Sequence, residues 1–148
     1  MAETAGLAQL RSALEASAES GTGIGPLLGM TVESLEPGRT VFGLNTGPQH
    51  GNPIGSVHGG VLSTLLDSAM SCAVHTALPE GAGYTTLELK VNFVRPARTD
   101  GGPLRCEGTT IHLGRRVATC EGRVTDANGK LVAHGTATCM IFGPNTVQ

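Results

Sequence analysis

The residues that could do chemistry crowd into one stretch, residues 52–77, NPIGSVHGGVLSTLLDSAMSCAVHTA. Asp67 is the only carboxylate in it. A carboxylate among apolar residues is costly unless it is paired, hydrogen-bonded or useful. Two readings stand open: a structural aspartate bonded to a hydroxyl or backbone amide, or a general base or nucleophile. Ser63 at i−4, Thr64 at i−3 and Ser71 at i+4 line the same side of a helix, where hydroxyls would hold the carboxylate ionised and oriented. Gly59 and Gly60 stand where that helix begins. First-turn N–H groups lack intrahelical acceptors and carry partial positive charge. With no side chain at 59 or 60, a ligand oxygen could approach the backbone closely, as an oxyanion site requires. The alternative is a plain tight turn entering a helix. His58 is placed to orient the loop through its ring nitrogens, and no GxSxG elbow accompanies it.

Spacing constrains how these groups could act. Gly59 and Asp67 are eight residues apart on one helix, hence roughly 12 Å along its axis. An oxyanion donor and a base must both lie within about 3 Å of one reacting carbonyl. One copy of the helix cannot readily do this. Two antiparallel copies in a twofold dimer can, with Gly59 of one facing Asp67 of the other. A catalytic reading therefore predicts an obligate homodimer with two shared sites.

The elements that must position these groups follow from periodicity. From Val57 the stretch has no proline, and Val61, Leu65, Leu66, Ala69, Met70, Ala73, Val74 and Ala77 recur at helical spacing. This predicts a buried helix over about 57–78, ended by Pro79-Glu80-Gly81. Upstream, Leu7, Leu10, Leu14 and Ala18 mark a short amphipathic helix over 4–18. Gly21-Thr22-Gly23-Ile24-Gly25-Pro26 breaks it; the cluster lacks the GKS/T ending of a phosphate loop and follows a helix rather than a strand. Strands are expected over 27–35 and 39–45 around a Glu36-Pro37-Gly38 turn, with a loop over 46–56. Beyond the helix the period becomes 2: Thr86, Glu88, Lys90 and Asn92 alternate with Leu87, Leu89, Val91 and Phe93. Further strands are expected over 103–112, 117–125 and 130–142, joined by turns at 113–116 and 126–129. In the second turn Asn128-Gly129 would supply positive φ. The order is helix, two strands, long helix, four strands in meander. That is an α+β fold, a curved antiparallel sheet of five or six strands around one helix.

Composition narrows the function. A chain of 148 residues makes one domain with a real core. A net charge of −2, 15% charged residues and only four aromatics (Phe42, Phe93, Phe142, Tyr84) argue against nucleic acid as a partner. No apolar run reaches 18 residues uninterrupted, so no membrane span is expected. The N-terminus starts acidic and has no continuous apolar segment, so it does not read as a signal peptide, and a cytoplasmic location is expected. Cys72, Cys106, Cys120 and Cys139 show no CxxC pairing and no zinc spacing; they are expected to be reduced, buried thiols, with no metal.

The pattern resembles a hotdog-fold acyl-CoA thioesterase of the phenylacetate-pathway (PaaI-like) and 4-hydroxybenzoyl-CoA type. It consists of Asn52, then His58-Gly59-Gly60, then Asp67 nine residues after the histidine. Leu89-Lys90-Val91-Asn92-Phe93-Val94-Arg95-Pro96 and the last strand from Gly129 to Thr138 extend it, over about residues 25–142. The resemblance implies a hotdog domain over 23–143, preceded by an N-terminal helix and linker over 1–22 and followed by a tail over 144–148. It implies Asp67 as base on water or as nucleophile, and Gly59 N–H polarising the thioester carbonyl. It places Asn52 on the carbonyl or the water, His58 supporting the loop, and the Ser71 hydroxyl helping to hold the water. Gly60 would line the substrate site. Thr86 falls where some members place a hydroxyl near the site, with Thr85 the off-by-one alternative. Related enzymes use Glu or Gln where this chain has Asp67 or Asn52. Coenzyme A carries phosphates, for which Arg95, Arg98 and the Gly114-Arg115-Arg116 turn are candidates. Implied partners are an acyl-CoA or aryl-CoA substrate and a second copy of the chain, with dimers pairing further into a dimer of dimers. No cofactor is implied, coenzyme A thioester being substrate. A non-catalytic acyl-CoA-binding protein and an acyl-thioester dehydratase or hydratase are the alternatives.

Overall fold

The structure is a computed structural model and describes residues 2–143; the tail over 144–148 lies outside the described residues. The elements in chain order are α1 (Ala5–Ser20), α2 (Ile24–Leu28), β1 (Met30–Glu36), β2 (Arg39–Asn45), a 3-10 turn (Pro48–His50), α3 (Gly59–Thr76), β3 (Gly83–Phe93), β4 (Pro103–Leu113), β5 (Val117–Thr125) and β6 (Leu131–Phe142). One long helix lies on one sheet of six strands, all paired antiparallel.

Two sequence expectations change here. The strand expected from residue 27 starts at Met30, because Ile24–Leu28 closes into a short helix. Pro26 sits in its first turn, where a missing N–H costs nothing, and Gly29 at φ 77° ends it. The last four strands are not a simple meander. The sheet order is β1-β2-β4-β5-β6-β3, so only β4, β5 and β6 run as successive neighbours. β3 takes the far edge beside β6, and residues 94–102 carry the chain back to β4 in the middle of the sheet. A connection of that length, holding Pro96, crosses the sheet instead of closing a hairpin. A smaller difference lies in the turn after β5. Asn128 keeps negative φ and only Gly129, at 77°, is left-handed. Asp126 Oδ1 holds the turn by accepting from Asn128 N at 2.9 Å and Lys130 N at 3.0 Å.

α3 sits unusually close to the sheet because glycines make room. Gly108, Gly122 and Gly135 face one another across β4, β5 and β6. A Cβ on Gly108 would lie 2.3 Å from the Ala69 carbonyl, and one on Gly122 would lie 2.9 Å from Met70. Thr40, opposite Gly108 on β2, donates its hydroxyl to Ala69 O at 2.7 Å. Leu65, Leu66, Ala69, Met70, Ala73 and Val74 are fully buried on this face. Each large aliphatic side chain among them contributes about 1.5–3 kcal/mol on burial.

α1 closes the other end. Thr4 caps it by accepting from Leu7 N at 3.1 Å and also donates to Thr76 O. Gly6 N donates to Leu78 O at 3.1 Å, and Leu7 and Leu10 enter the core. The end of α3 is thereby fastened to the start of the chain. All four cysteines are free and buried.

Candidate active site

The Asp67 carboxylate is half-buried near the middle of α3. Its Oδ1 accepts from the Thr86 hydroxyl at 2.9 Å. Its Oδ2 has no hydrogen-bond partner among the described residues. Strict alternation along β3 would put Thr86 on the outer face with Glu88 and Lys90. A β-bulge between Thr86 and Glu88 shifts the phase. Leu87 is consequently turned outward and 55% exposed, while Tyr84, Leu89 and Val91 pack against the core; Phe93, in phase with Leu89 and Val91, lies over Gly59 and is 54% exposed. Thr85, one residue away from the residue that reaches Asp67, is exposed.

The helix hydroxyls do something other than hold the carboxylate. Ser63 donates to Gly59 O and Thr64 to Gly60 O, both at 2.8 Å, and Ser71 donates to Asp67 O at 2.7 Å. A Ser or Thr in a helix reaches the carbonyl one turn back without leaving its rotamer, and that local bond wins. Ser71 is buried and also accepts a long bond of 3.5 Å from the Tyr84 hydroxyl. Burial raises the Tyr84 phenol well above its ordinary range, so it stays a donor. Burial likewise pushes the neighbouring Cys72 thiol up to about 12, leaving it protonated and inert.

The second group gathers at the start of α3. His58 is its N-cap, and His58 Nδ1 accepts from Gly60 N at 2.8 Å. Gly60 N–H is thus taken within the chain. Gly59 N–H has no acceptor among the described residues, and a Cβ at Gly59 would meet the Phe93 ring at 3.1 Å. Asn52 Oδ1 accepts from Ile54 N and Ser56 N, both at 3.1 Å, closing its own loop. Its amide NH₂ is the group left to reach a ligand. Sequence reasoning passed over His50. Its ring is fully buried; Nδ1 accepts from Gly47 N at 3.0 Å, which leaves Nε2–H to donate to Leu28 O at 2.7 Å. His50 O accepts from His58 N at 2.8 Å. This histidine ties the loop carrying Asn52 and His58 to α2. A lone histidine in a glycine-rich loop gives no sequence signal for that role.

Within one chain, then, Asp67, Thr86, Ser71 and Tyr84 form one group, and Asn52, His58 and Gly59 form another two helical turns away. The arginines join neither group. Arg95 is exposed just past β3, and Arg98 pairs with Asp100 at 2.8 Å in the open. Arg115 and Arg116 are exposed in the β4–β5 turn and form no ion pair among the described residues. Gly114 N–H is occupied by Val117 O at 2.9 Å.

The thioesterase superfamily pattern matches residues 54–133, which hold α3 with Gly59 and Asp67 as well as β3 with Thr86. The chain belongs to the thioesterase superfamily. Human acyl-coenzyme A thioesterase 13 is 27% identical over 110 residues, 74% of this chain and 77% of its own length. The 1,4-dihydroxy-2-naphthoyl-CoA hydrolase of Listeria monocytogenes is 25% identical over 80% of this chain and 95% of its own. The PaaI protein from the phenylacetic acid degradation operon of E. coli superposes with a TM-score of 0.81 over 96% of this chain and 97% of its own, at 21% identity. That likeness shows the fold, which is the hotdog. Thioester hydrolysis is the reaction class of this superfamily member. No helix of this thioesterase among the described residues is long and apolar enough to cross a membrane. Among the same residues no three His, Cys, Asp or Glu side chains gather as a metal site.

Proposed function

We propose that this thioesterase hydrolyses an acyl- or aryl-CoA to the free acid and coenzyme A, at a site completed by a second copy of the chain. Asp67 accepts a proton from water, and the water oxygen attacks the thioester carbonyl carbon. The charge developing on the carbonyl oxygen meets Gly59 N–H of the other copy, at the positive end of α3. Asn52, from the same copy as that Gly59, donates its NH₂ to the carbonyl or the water. The tetrahedral intermediate then expels the coenzyme A thiolate, which takes up the proton. Direct attack by Asp67, through an acyl-carboxylate anhydride hydrolysed in a second step, uses the same groups. Arg95, Arg115 and Arg116, exposed and without an ion pair among the described residues, are candidate cations for the phosphates.

The observation that carries this reading is the pairing of an oriented carboxylate, Asp67 against Thr86 at 2.9 Å, with an unused helix-start N–H at Gly59 on the same helix. Neither completes a site alone across roughly 12 Å. The outer edge of β3 supports a dimer. β3 is an edge strand of 11 residues with Leu87 and Phe93 more than half exposed. A long apolar edge is normally covered or paired. Pairing it with the β3 of a twofold-related copy would bring two α3 helices together antiparallel.

Two inactive variants test the split. Asp67→Asn removes the base. Gly59→Pro removes the N–H at the first helical position, which tolerates proline, and the half-exposed Phe93 ring has room to yield to the added Cβ. Each alone should be a folded dimer releasing little thiol from acyl-CoA. Unfolded and refolded together, they should recover activity, because every mixed dimer holds one intact site. Near-normal hydrolysis by Asp67→Asn would sink the role of Asp67, and failure of the mixture to recover would sink the sharing.

A further inference from the structure

Beside the α3 turns that carry Asp67 lies a groove of about 540 Å³, walled by α1, α2 and β1. It exists because α1 is docked only by its first half. Gly6, Leu7 and Leu10 are its buried residues, and its second half overhangs β1. The wall is aliphatic, with Leu14, Ile24, Met30, Val32 and Leu35, and Phe42 supplies the one aromatic ring among the lining residues. Ile24 is 50% exposed and Val32 43%, apolar surface that a carbon-rich occupant would cover. The floor is α3 itself, through Ser68 and Cys72. These follow Asp67 and Ser71 directly in sequence, about 100° further round the helix. Ser71, next to Cys72 in sequence, accepts from the Tyr84 hydroxyl at 3.5 Å. Groove and carboxylate are therefore the two sides of one short helical segment.

We infer that this groove takes the acyl part of the thioester, and that the acyl group it suits is an unbranched aliphatic chain. The inference rests on the hydrolytic reading above and adds a substrate class to it. The volume falls in the range of pockets that enclose a whole small ligand, more than a thioester carbonyl needs. One ring among the lining residues offers little for stacking an aryl group, whereas a flexible chain can follow a wall of Leu, Ile, Met and Val. The charged lining residues are Arg11, already bonded to Glu3 at 3.2 Å, and Glu15, both exposed on α1.

S-alkyl-CoA thioethers cannot be hydrolysed, so their binding reads the groove separately from turnover. Affinity measured by calorimetry should rise about fourfold per methylene from S-methyl-CoA upward until the groove is full. Val32→Trp and Ala18→Phe fill the groove from its outer wall, away from the catalytic groups. Each should flatten the length series while leaving S-methyl-CoA binding and acetyl-CoA turnover unchanged. A flat series in the unmodified protein would overturn the inference, as would a series that neither filled variant alters, or tighter binding of a benzyl than of an octyl thioether. A rising series that the variants flatten upholds the groove even if no CoA thioester is hydrolysed; that last result would count against the hydrolytic reading alone.

Discussion

The two faces of α3 are built on opposite principles. The face towards the sheet carries Leu65, Leu66, Ala69, Met70 and Ala73, fully buried over Gly108 and Gly122. Nothing there has room to move, and Thr40 pins the helix at Ala69 O. The opposite face carries Ser63, Thr64, Asp67 and Ser68, all half-buried, and the Ser63 and Thr64 hydroxyls serve the helix's own carbonyls. Close packing on one side fixes the position of the helix. The other side can then leave a carboxylate short of partners without the helix shifting to find them. An oxygen with a spare lone pair, Asp67 Oδ2, is what a base needs and what a core avoids.

The comparison breaks most visibly at Asp67. Asp67→Asn should lower kcat by about 10²–10⁴-fold, the range for loss of a positioned base, with the melting temperature unchanged. A large fall in melting temperature would mean that the carboxylate belongs to the structural face. Gly108→Ala is the converse test. Its Cβ would press on the backbone of α3, so chemical denaturation should show a loss of about 1–3 kcal/mol or more, and turnover per folded molecule should fall only as far as the helix is displaced. Unchanged stability would contradict the close approach. Thr86→Val lies between the two. Removing the one hydroxyl on Asp67 should cost about tenfold in kcat, the scale of a hydrogen bond to a charged group. Stability should change little, and Thr86→Ser should recover most of the rate; a loss of stability with the rate intact would move Thr86 to the structural side.

The smallest effect is expected at the end of α3, where both faces close. His75 Nε2 is buried without a partner among the described residues, and the ring meets Tyr84 edge-on at 5.4 Å. Burial lowers the His75 pKa below its ordinary 6.5. The unfolded chain therefore takes up the proton first as pH falls. Stability from the neutral ring is full above about pH 6.5 and is lost as pH drops through the folded-state pKa. Melting temperature should decline below that pH, and His75→Phe should flatten the decline; an identical decline in the variant would assign it to other groups.

Much of this was readable along the chain. The helix around Asp67, the start at Gly59 and the strands at 39–45 and 117–125 follow from patterns carried by near neighbours, period 3.6 or 2 closed by Pro and Gly. The spacing of Gly59 and Asp67 was likewise enough to argue that one helix could not bring them together, because a helix has a fixed rise. The resemblance put a hydroxyl at Thr86 near the site, but only the tertiary structure shows which hydroxyl meets the carboxylate. Ser63, Thr64 and Ser71 have the right helical spacing, yet the residue that reaches Asp67 is Thr86. Its inward aim comes from a bulge, and that bulge exists only in the pairing of β3 with β6, where Thr86 faces Cys139. The place of β3 at the sheet edge and the groove under α1 have the same origin. Register, edge and cavity depend on contacts between segments far apart in sequence, and local pattern holds no record of them.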